Sequence, residues 1–405
     1  MKIHPGRTIG ELVAVLSYVT DTQNDKRVFH GWKVAIAALG ICRGLSRKDA
    51  KNAFYAGLLH DIGGVGLPLH VIHYLSLNNK ASQNILLSHP IIGAQLVSNI
   101  PGFGPAAKFI LDHHEWINGN GYPRAKTKKD IPLGAQIIRV CDALDIVLNH
   151  EPGINTQKLG KLLRARVNKE YSQKIFAALM KFLRKDDFLC RLRGNSEIIR
   201  AFKQAKRTAG FINVPSKIDA IGQALKIAAE ISDMKHPYTY GHSLRVSRYA
   251  LSIALAMKLD HDRVTRVKWA ALMHDIGKIS VSRKILDKPG KLSDREFKKI
   301  HQHVRLTEEI MFMIPSLSEI TPLAASHHEY FDGSGYPHGL KDKQIPLETK
   351  IITVCDAFDA MISNRPYREG GSLESSCREI KRLSGKQFDP EVVKFAIPIF
   401  HSLGL

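Results

Sequence analysis

Apolar residues recur with a helical period along most of the chain. The stretch that begins at His242 keeps this spacing over about four turns, at Leu244, Tyr249, Leu251, Ala254 and Leu255. A second apolar run, residues 269–273, leads into His274 and ends near Gly277, and glycine is a typical residue just after the end of a helix. The pattern predicts an all-α protein.

One short segment fits a strand as well as a helix. Residues 351–354 are rich in β-branched side chains, which favour strands. Few other segments alternate between apolar and polar residues with the period of two that a half-buried strand shows. We therefore interpret residues 351–354 as part of a helix in an otherwise helical unit.

Length and composition narrow the class of protein. The 405 residues exceed the ~250 at which single domains usually stop growing, so two or three domains are expected. The hydrophobic fraction of 44% and the charged fraction of 24% are typical of a folded globular chain. The apolar run at residues 34–42 is far shorter than the ~20 residues of a membrane span. Five cysteines without close pairs do not form a disulfide framework, and we expect a cytoplasmic protein.

The chain is strongly basic. It has 59 Lys and Arg against 38 Asp and Glu, a net charge of +21, and much of the excess lies within residues 158–207. Such a charge attracts anionic partners, whether nucleic acid, anionic lipid or phosphorylated small molecules. It is equally compatible with a solvated basic surface, so the charge does not select a partner.

Six separated motifs occur twice with one constant offset, 274 − 60 = 214 residues. His60-Asp61-Ile62-Gly63 returns as His274-Asp275-Ile276-Gly277, His89 as His303, His113-His114-Glu115 as His327-His328-Glu329, Gly121-Tyr122-Pro123 as Gly335-Tyr336-Pro337, Ile131-Pro132-Leu133 as Ile345-Pro346-Leu347, and Val140-Cys141-Asp142-Ala143 as Val354-Cys355-Asp356-Ala357. His30 and His242 form an earlier pair with an offset of 212. The chain is therefore a tandem duplication, and we predict domains 1–210 and 211–405 with a boundary near residues 210–214.

The repeated histidines and aspartates are candidate metal ligands. A lone buried histidine is usually a packing residue, but a whole set that recurs in both halves is not explained in that way. Imidazoles and carboxylates suit divalent Mn, Fe or Zn, and two metal ions that share a carboxylate can clamp a phosphodiester. The set in the second half is His242, His274, Asp275, His303, His327, His328 and Asp356; the set in the first half, a second candidate metal centre, is His30, His60, Asp61, His89, His113, His114 and Asp142.

The second half resembles the HD-GYP branch of the HD phosphohydrolase superfamily over nearly all of residues 215–405. The resemblance rests on His274-Asp275, on His327-His328-Glu329 followed by Asp332-Gly333-Ser334-Gly335-Tyr336-Pro337, and on the segments Tyr238-Thr-Tyr-Gly-His242, Leu286-Asp-Lys-Pro-Gly-Lys-Leu, Arg365-Pro-Tyr-Arg368 and Phe388-Asp-Pro390. It implies two tandem helical-bundle domains with metal centres in the bundle cores. It also implies a bacterial, cytoplasmic phosphodiesterase in which a metal-bridging hydroxide opens cyclic di-GMP to linear pGpG, with further cleavage to GMP left open.

The resemblance also assigns the ligands. One metal ion takes His242, His274, Asp275 and Asp356, and the other takes Asp275, His303, His327 and His328. Fe or Mn is the expected metal, with Zn, Ni or Mg as alternatives. Members with a third ion carry a Glu four residues before the first His. Tyr238 and Lys26 stand there in this chain, which favours two ions per active domain.

The resemblance further implies the residues that handle substrate. Asp275 and Lys278 are the expected catalytic residues, and Lys278 would contact the scissile phosphate. Arg365 and Arg368 match phosphate-binding positions, and Tyr336 is a further substrate-binding candidate. The loop at residues 333–337 is linked in the family to docking with diguanylate cyclase (GGDEF) domains.

The first half departs from this pattern around its ligand set. Gly64 stands at the position of Lys278, Asn118 at that of Asp332, and the Arg365-Pro-Tyr-Arg368 and Phe388-Asp-Pro390 segments have no counterpart. We therefore expect catalysis in the second domain and a regulatory or weakly active first domain. Contact between the two domains and a homo-oligomer are both compatible with this division.

Three alternatives stay open at this point. The substrate could be 3′,3′-cyclic GMP-AMP, or the protein could bind a cyclic dinucleotide as a receptor without cleaving it. Nucleic-acid binding through residues 158–207 is less favoured, since no nucleic-acid motif accompanies the charge. No membrane partner is expected.

Overall fold

The structure is a computed structural model that describes residues 3–22, 28–65, 80–184, 188–215, 219–235, 240–288, 290–364 and 369–402, and for residues 80–86 it describes the helical backbone alone. Within these ranges the chain forms α-helices joined by loops and short 3-10 turns, and β-pairing there amounts to isolated bridges. The expected all-α fold is confirmed. Residues 351–354 lie within a helix, as interpreted from the sequence.

The helices of the first half are α1 (Pro5–Asp21), α2 (His30–Leu45), α3 (Ala50–Leu59), α4 (Lys80–Ser98), α5 (Gly104–Leu111), α6 (Leu133–His150), α7 (Thr156–Arg164), α8 (Gln173–Leu183), α9 (Phe188–Arg191) and α10 (Asn195–Ala209). Those of the second half are α11 (Ala220–Met234), α12 (His242–Ala256), α13 (His261–Met273), α14 (Arg283–Leu286), α15 (Asp294–Phe312), α16 (Thr321–Ala325), α17 (Leu347–Ile362), α18 (Leu373–Arg382) and α19 (Pro390–Ser402).

These helices group into two compact units. Residues 13–220 form one, the N-terminal unit, and residues 1–12 together with 221–405 form the other, the C-terminal unit. Seven helices follow one another in the same order in both units: α2 to α8 correspond in turn to α12, α13, α15, α16, α17, α18 and α19. The duplication seen in the sequence is thus a duplication of a helical unit.

An aspartate fixes the start of the helix that carries the first histidine of each motif set. Asp233 on α11 accepts hydrogen bonds from the backbone N–H of Ser243 at 3.0 Å and from its hydroxyl at 2.9 Å. Asp21 accepts from the backbone N–H of Gly31 at 2.8 Å in the same way. A carboxylate here satisfies an amide that the first helical turn leaves unpaired and suits the positive end of the helix dipole. Each unit therefore holds the end of one helix firmly against its neighbour.

The His-Asp motif lies in a turn pressed against α15. After α13 ends at Met273 the chain enters a 3-10 turn, Ile276–Ser280. The Thr307 hydroxyl donates to the carbonyl of His274 at 3.0 Å and accepts from the backbone N–H of Gly277 at 3.0 Å. A Cβ at Gly277 would lie 2.0 Å from the carbonyl oxygen of His303. Glycine is required here because two backbones touch.

The basic stretch of the first half is built of amphipathic helices. Helices α7, α8 and α10 bury apolar side chains such as Leu163, Leu179 and Phe202. The Phe202 ring stacks on Trp32 of α2 with centroids 3.8 Å apart. The basic side chains lie on the opposite, exposed faces. The apolar side of this stretch is therefore part of the core of its own unit.

Two further findings bear on the class of protein. All five cysteines are present as thiols. Across the described parts of the chain, each helix is too short or too polar to cross a bilayer.

The close contact at Gly277 predicts that adding a single methyl group there lowers the stability of the fold. Gly277→Ala should lower the free energy of unfolding by about 1–3 kcal/mol, because the added Cβ forces the turn away from α15. Thermal unfolding of the metal-free protein measures this. Gly44→Ala, in an open helical position where a Cβ would meet nothing within 4 Å, is the control and should be neutral or slightly stabilising. Equal melting temperatures for the two variants would contradict the close-contact argument.

Candidate metal centre

The structure gathers the predicted ligands of the second half into one cluster, which we call the C-terminal cage. His242 begins α12, His274 and Asp275 follow α13, and His303 lies in α15. His327 and His328 follow α16, and Asp356 lies in α17. Ligand atoms within three overlapping groups of these residues lie within 4.8 Å of one another: His242 with His274 and Asp356; His274 with Asp275 and His327; His303 with His327 and His328.

Asp275 lies at the centre of this cage. Its Oδ2 is 3.5 Å from His242 Nε2 and 3.4 Å from His274 Nε2. Its Oδ1 is 3.3 Å from His303 Nε2 and 3.9 Å from His327 Nε2. One carboxylate therefore faces two groups of imidazoles with different oxygens, which is the arrangement required of a ligand that bridges two ions.

The imidazoles are held by the ring nitrogen that faces away from Asp275. Nδ1 of His274, His303 and His327 bonds to the backbone carbonyl three residues earlier, at 2.8, 2.6 and 2.7 Å. Nδ1 of His242 bonds to Asp359 Oδ2 at 2.7 Å. Such bonds occupy Nδ1 and direct Nε2 at a cation, which Nε2 can bind once it carries no proton.

Unpaired polar atoms in the cage fit a bound cation. His242 Nε2, His274 Nε2 and Asp275 Oδ1 are buried and make no hydrogen bond to a described atom. A buried polar atom without a partner is costly, and a divalent ion would satisfy these three at once. The donor set of imidazoles and carboxylates suits Mn, Fe or Zn.

Charge is distributed unevenly across the C-terminal cage. Burial alone would lower the pKa of His274, but the carboxylates of Asp275 and Asp356 raise it to about 9. The pKa of His242 is also well above its usual value, since Asp275, Asp356 and Asp359 outweigh its burial. Burial and neighbouring imidazoles place the pKa of His327 well below the usual value. Burial lowers that of His328 to about 3. The His242–His274 side therefore attracts positive charge even when no metal is bound.

The glutamate of the His-His-Glu motif supports a loop and does not enter the described ligand groups. Glu329 is buried and accepts from the backbone N–H of His338 at 2.6 Å and of Leu340 at 2.8 Å. A Cβ at Gly335 would lie 2.4 Å from the carbonyl of His328, so the loop closes directly beneath that ligand. The motif thus combines two ligands with the residue that fixes the loop beside them.

Two of the remaining predicted site residues of the second half contact the C-terminal cage, and two lie outside the described residues. Lys278 Nζ forms a close ion pair with Asp275 Oδ2. Tyr336 stacks on His328, with centroids 4.9 Å apart, and on His301, with centroids 4.1 Å apart. Arg365 and Arg368 lie outside the described residues, as do Tyr238 and Lys26.

The structure also gathers the ligand set of the first half, which we call the N-terminal cage. Its described groups are Asp61 with His89, His113 and His114, and His30 with His60 and Asp142. His30 Nδ1 bonds to Asp145 Oδ2 at 2.6 Å, and Nδ1 of His60 and His113 bonds to backbone carbonyls. Burial and the imidazole of His30 outweigh the attraction of Asp61 and Asp142 and lower the pKa of His60, in contrast to that of His274.

Asp359 and Asp145 are candidate site residues that the motif comparison missed. Asp359 orients His242 and also accepts from Arg245 at 2.7 and 2.9 Å. Asp145 orients His30 and accepts from Lys33 at 2.9 Å. Both lie three residues after the candidate metal-binding aspartate of their half, at the constant offset of 359 − 145 = 214. That repeated spacing was the signal by which they could have been found.

Removing the carboxylate behind His242 should weaken metal binding without removing a ligand. Asp359→Ala is expected to lower the Mn²⁺ affinity of the C-terminal cage by about 10–100-fold, because His242 loses its fixed orientation. Calorimetric titration of the metal-free protein measures this. Asp145→Ala, the equivalent change in the other cage, is the matched control and should leave the C-terminal cage at wild-type affinity. Wild-type affinity in Asp359→Ala would show that His242 is held by other contacts.

The raised pKa of His274 predicts that acid competes with the metal. Below a pKa of about 9 this imidazole is protonated in the metal-free protein, and binding must displace the proton. Metal affinity should therefore rise between about pH 6.5 and 8.5, with release of roughly one proton or more. Calorimetry in two buffers with different ionisation enthalpies counts the protons released. An affinity independent of pH, with no proton release, would contradict this.

Comparisons with known proteins agree with this geometry. A family model described as an HD domain matches residues 20–165 and again residues 226–392. The chain is 30% identical over 325 residues to "3'3'-cGAMP-specific phosphodiesterase 3" of Vibrio cholerae, an alignment that covers 80% of this chain and 69% of that protein. It is 41% identical over 178 residues to "Cyclic di-GMP phosphodiesterase" of Thermotoga maritima, covering 44% of this chain and 48% of that one.

A solved structure extends the likeness to the whole fold. The crystal structure of the cyclic GMP-AMP phosphodiesterase V-cGAP3 of V. cholerae matches with a TM-score of 0.64 and 25% identity over 98% of both chains. The HD match in each half and the relatives together confirm the resemblance predicted from the motifs. The chain belongs to the HD domain family and carries that domain twice, in its HD-GYP form.

Proposed function

We propose that the protein is a metal-dependent phosphodiesterase that opens a cyclic dinucleotide, and that the C-terminal unit carries the reaction. The observation that supports this most is the position of Asp275. Its two oxygens face two groups of imidazoles, and the Lys278 ammonium contacts one of those oxygens. The N-terminal cage has a matching aspartate but Gly64 in place of that lysine.

Each side chain has a distinct role in this proposal. Two bound divalent ions, Mn or Fe, would polarise the scissile phosphate and lower the pKa of a water molecule. Asp275 holds the two imidazole groups at a fixed separation. The Lys278 ammonium, about one fifth exposed, lies at the mouth of the cage, where it would stabilise the negative charge that develops on a phosphate oxygen. Arg365 and Arg368, outside the described residues, are proposed to bind the phosphates.

Tyr336 is proposed to act on the substrate only through its hydroxyl. The stacking of its ring on His301 and His328 occupies surface that a base would otherwise use. The ring also supports His328, one of the ligands. Its contribution to the site is therefore partly positional.

The N-terminal unit is proposed to be a regulatory paralogue of the C-terminal unit. The domain boundary is proposed to lie near residue 210. It keeps a full ligand set in its cage. It lacks the lysine and the arginine segment that would bind a phosphate at the cage. A cage without these cations can hold metal but contributes little to stabilising a transition state.

The motif resemblance implies cyclic di-GMP as the substrate. One observation from the comparisons supports 3′,3′-cyclic GMP-AMP as a second candidate. A relative and a solved structure that match across both halves are both named for cyclic GMP-AMP. The relative named for cyclic di-GMP aligns with 44% of this chain. Both substrates are therefore to be tested side by side.

A cytoplasmic location and a protein partner are further proposals. Five free thiols suit a reducing compartment. In the loop at residues 333–337, Ser334 and Pro337 are exposed, which suits docking of a diguanylate cyclase domain. Self-association stays a prediction from the sequence.

Product analysis tests the proposed reaction. Protein loaded with Mn or, under anaerobic conditions, with Fe should convert at least one of the two cyclic dinucleotides to a linear product detected by chromatography. Asp275→Ala should lower turnover by about 10³-fold or more, because it removes the bridging ligand, and Lys278→Ala by about 10²–10³-fold. Asp61→Ala, the matched change in the N-terminal cage, should retain most of the turnover.

Two outcomes would contradict the proposal in different ways. Equal losses in Asp61→Ala and Asp275→Ala, with both variants folded by thermal melting, would refute the division of labour. Tight binding of a cyclic dinucleotide with no turnover under either metal would favour a receptor. Melting curves are needed because metal binding also stabilises the fold.

A further inference from the structure

Among the described residues, the N-terminal cage contains a buried arginine at a position where the C-terminal cage has a neutral side chain. Arg139 lies on α6, three residues before the ligand Asp142, and is 8% exposed. Its Nη1 donates to Asp142 Oδ2 at 3.1 Å. Its Nε and Nη2 lie 2.9 and 2.6 Å from Glu170 Oε2. The guanidinium therefore joins a metal-binding carboxylate to a second buried carboxylate.

The C-terminal unit provides an internal comparison for Arg139. The equivalent residue, at 139 + 214 = 353, is Thr353, whose hydroxyl donates to the carbonyls of His327 and Thr349 at 2.8 and 3.0 Å. That side chain is neutral, and its described bonds do not involve Asp356. The shared fold therefore does not require a cation at this position.

The partner carboxylate is also confined to the N-terminal unit. The backbone N–H of Ile117 donates to the carbonyl of Glu170, and that of Phe331, which is Ile117 + 214, donates to the carbonyl of Gln387. Gln387 is therefore the counterpart of Glu170. The N-terminal unit has Arg and Glu at the two positions where the C-terminal unit has Thr and Gln.

A buried ion triad of this kind competes with a metal ion. The guanidinium already engages one oxygen of Asp142, and its charge repels a dication at the same carboxylate. Removing an arginine from between two buried carboxylates is costly, so the triad resists displacement by the metal. The other group of the cage is Asp61 with His89, His113 and His114. There Arg139 acts through its charge, which adds to burial and to the imidazoles of His113 and His89 in lowering the pKa of His114.

A second observation concerns the imidazoles beside Asp142. His30 Nε2 and His60 Nε2 are 3.1 Å apart and hydrogen-bonded to each other. Their counterparts, His242 Nε2 and His274 Nε2, are buried without a hydrogen bond. The His30–His60 contact is therefore a difference between the cages at this one group, since the pairs His89–His113 and His303–His327 lie at 3.4 and 3.5 Å in both. Oδ1 of Asp142 is buried without a hydrogen bond to a described atom, and it is Oδ2 that Arg139 engages.

We propose that Arg139 takes the place of one metal ion, so that the N-terminal cage binds a single divalent ion through Asp61, His89, His113 and His114. The C-terminal cage binds two. This inference rests on the metal binding proposed above but not on the identity of the substrate. A cage with one ion lacks the second ion that would stabilise the attacking or the leaving oxygen, so it would bind metal without supporting this two-metal hydrolysis.

Metal counting on the full chain tests the proposal. Protein loaded anaerobically with Mn²⁺ and desalted should hold about three ions per chain, measured by mass spectrometry of the metal: one in the N-terminal cage and two in the other. Arg139→Thr/Glu170→Gln, which installs the residues of the C-terminal unit, should raise the count to about four. Glu170→Gln alone is the control and should stay near three.

The reverse exchange gives a test in the other cage. Thr353→Arg/Gln387→Glu should lower the count to about two and abolish the spin coupling between paired Mn ions, read by electron paramagnetic resonance. This spectroscopic readout does not depend on turnover. It also keeps the proposal testable if the first double variant does not fold.

The possible counts separate the two proposals. A wild-type count of about four, or an unchanged count in Arg139→Thr/Glu170→Gln, would overturn the role of Arg139. If the wild-type count is about two and Asp61→Ala does not lower it, the N-terminal cage is empty. That result would also overturn the role of Arg139, but it would leave the proposed function intact. A count that Asp275→Ala does not lower, with no turnover, would instead overturn the proposed function.

Discussion

The geometry of the site depends on hydrogen bonds made by Nδ1 of four imidazoles, on the side of each ring away from Asp275. In the C-terminal cage, three histidines bond through Nδ1 to the carbonyl three residues earlier in their own turn, and His242 bonds to Asp359. These bonds fix the tautomer and direct Nε2 toward Asp275. The candidate ligand atoms are therefore positioned by the protein itself, at the cost of buried polar atoms that make no hydrogen bond to a described atom.

The close approach of two backbones sets the size of the cage. Gly277 lets the His-Asp turn touch α15, and Gly335 lets the loop after His328 fold beneath that ligand. Glu329 then holds the loop by two backbone amides. Residues that bind no metal thus determine how far apart the ligands lie.

The duplication shows that ligand identity alone does not determine what a cage does. Both cages keep four or more imidazoles around a central aspartate. In one, a lysine contacts that aspartate, and the carboxylates raise the pKa of His274 to about 9. In the other, an arginine neutralises Asp142, and the pKa of His60 is lowered. The balance of buried charge around the ligands separates the two halves.

The sequence by itself determined the helical fold, the duplication and the ligand set. These follow from local periodicity and from motifs repeated at one offset, both of which can be read without knowing which helices touch. The sequence motif also assigned Lys278 to the site, and the comparison of the two halves showed that Gly64 stands at the equivalent position. Only the tertiary structure revealed Asp359 behind His242, since 117 residues separate the two. It alone revealed the triad of Arg139, Asp142 and Glu170, because a charged residue on a helix normally faces solvent and its burial depends on packing between distant segments.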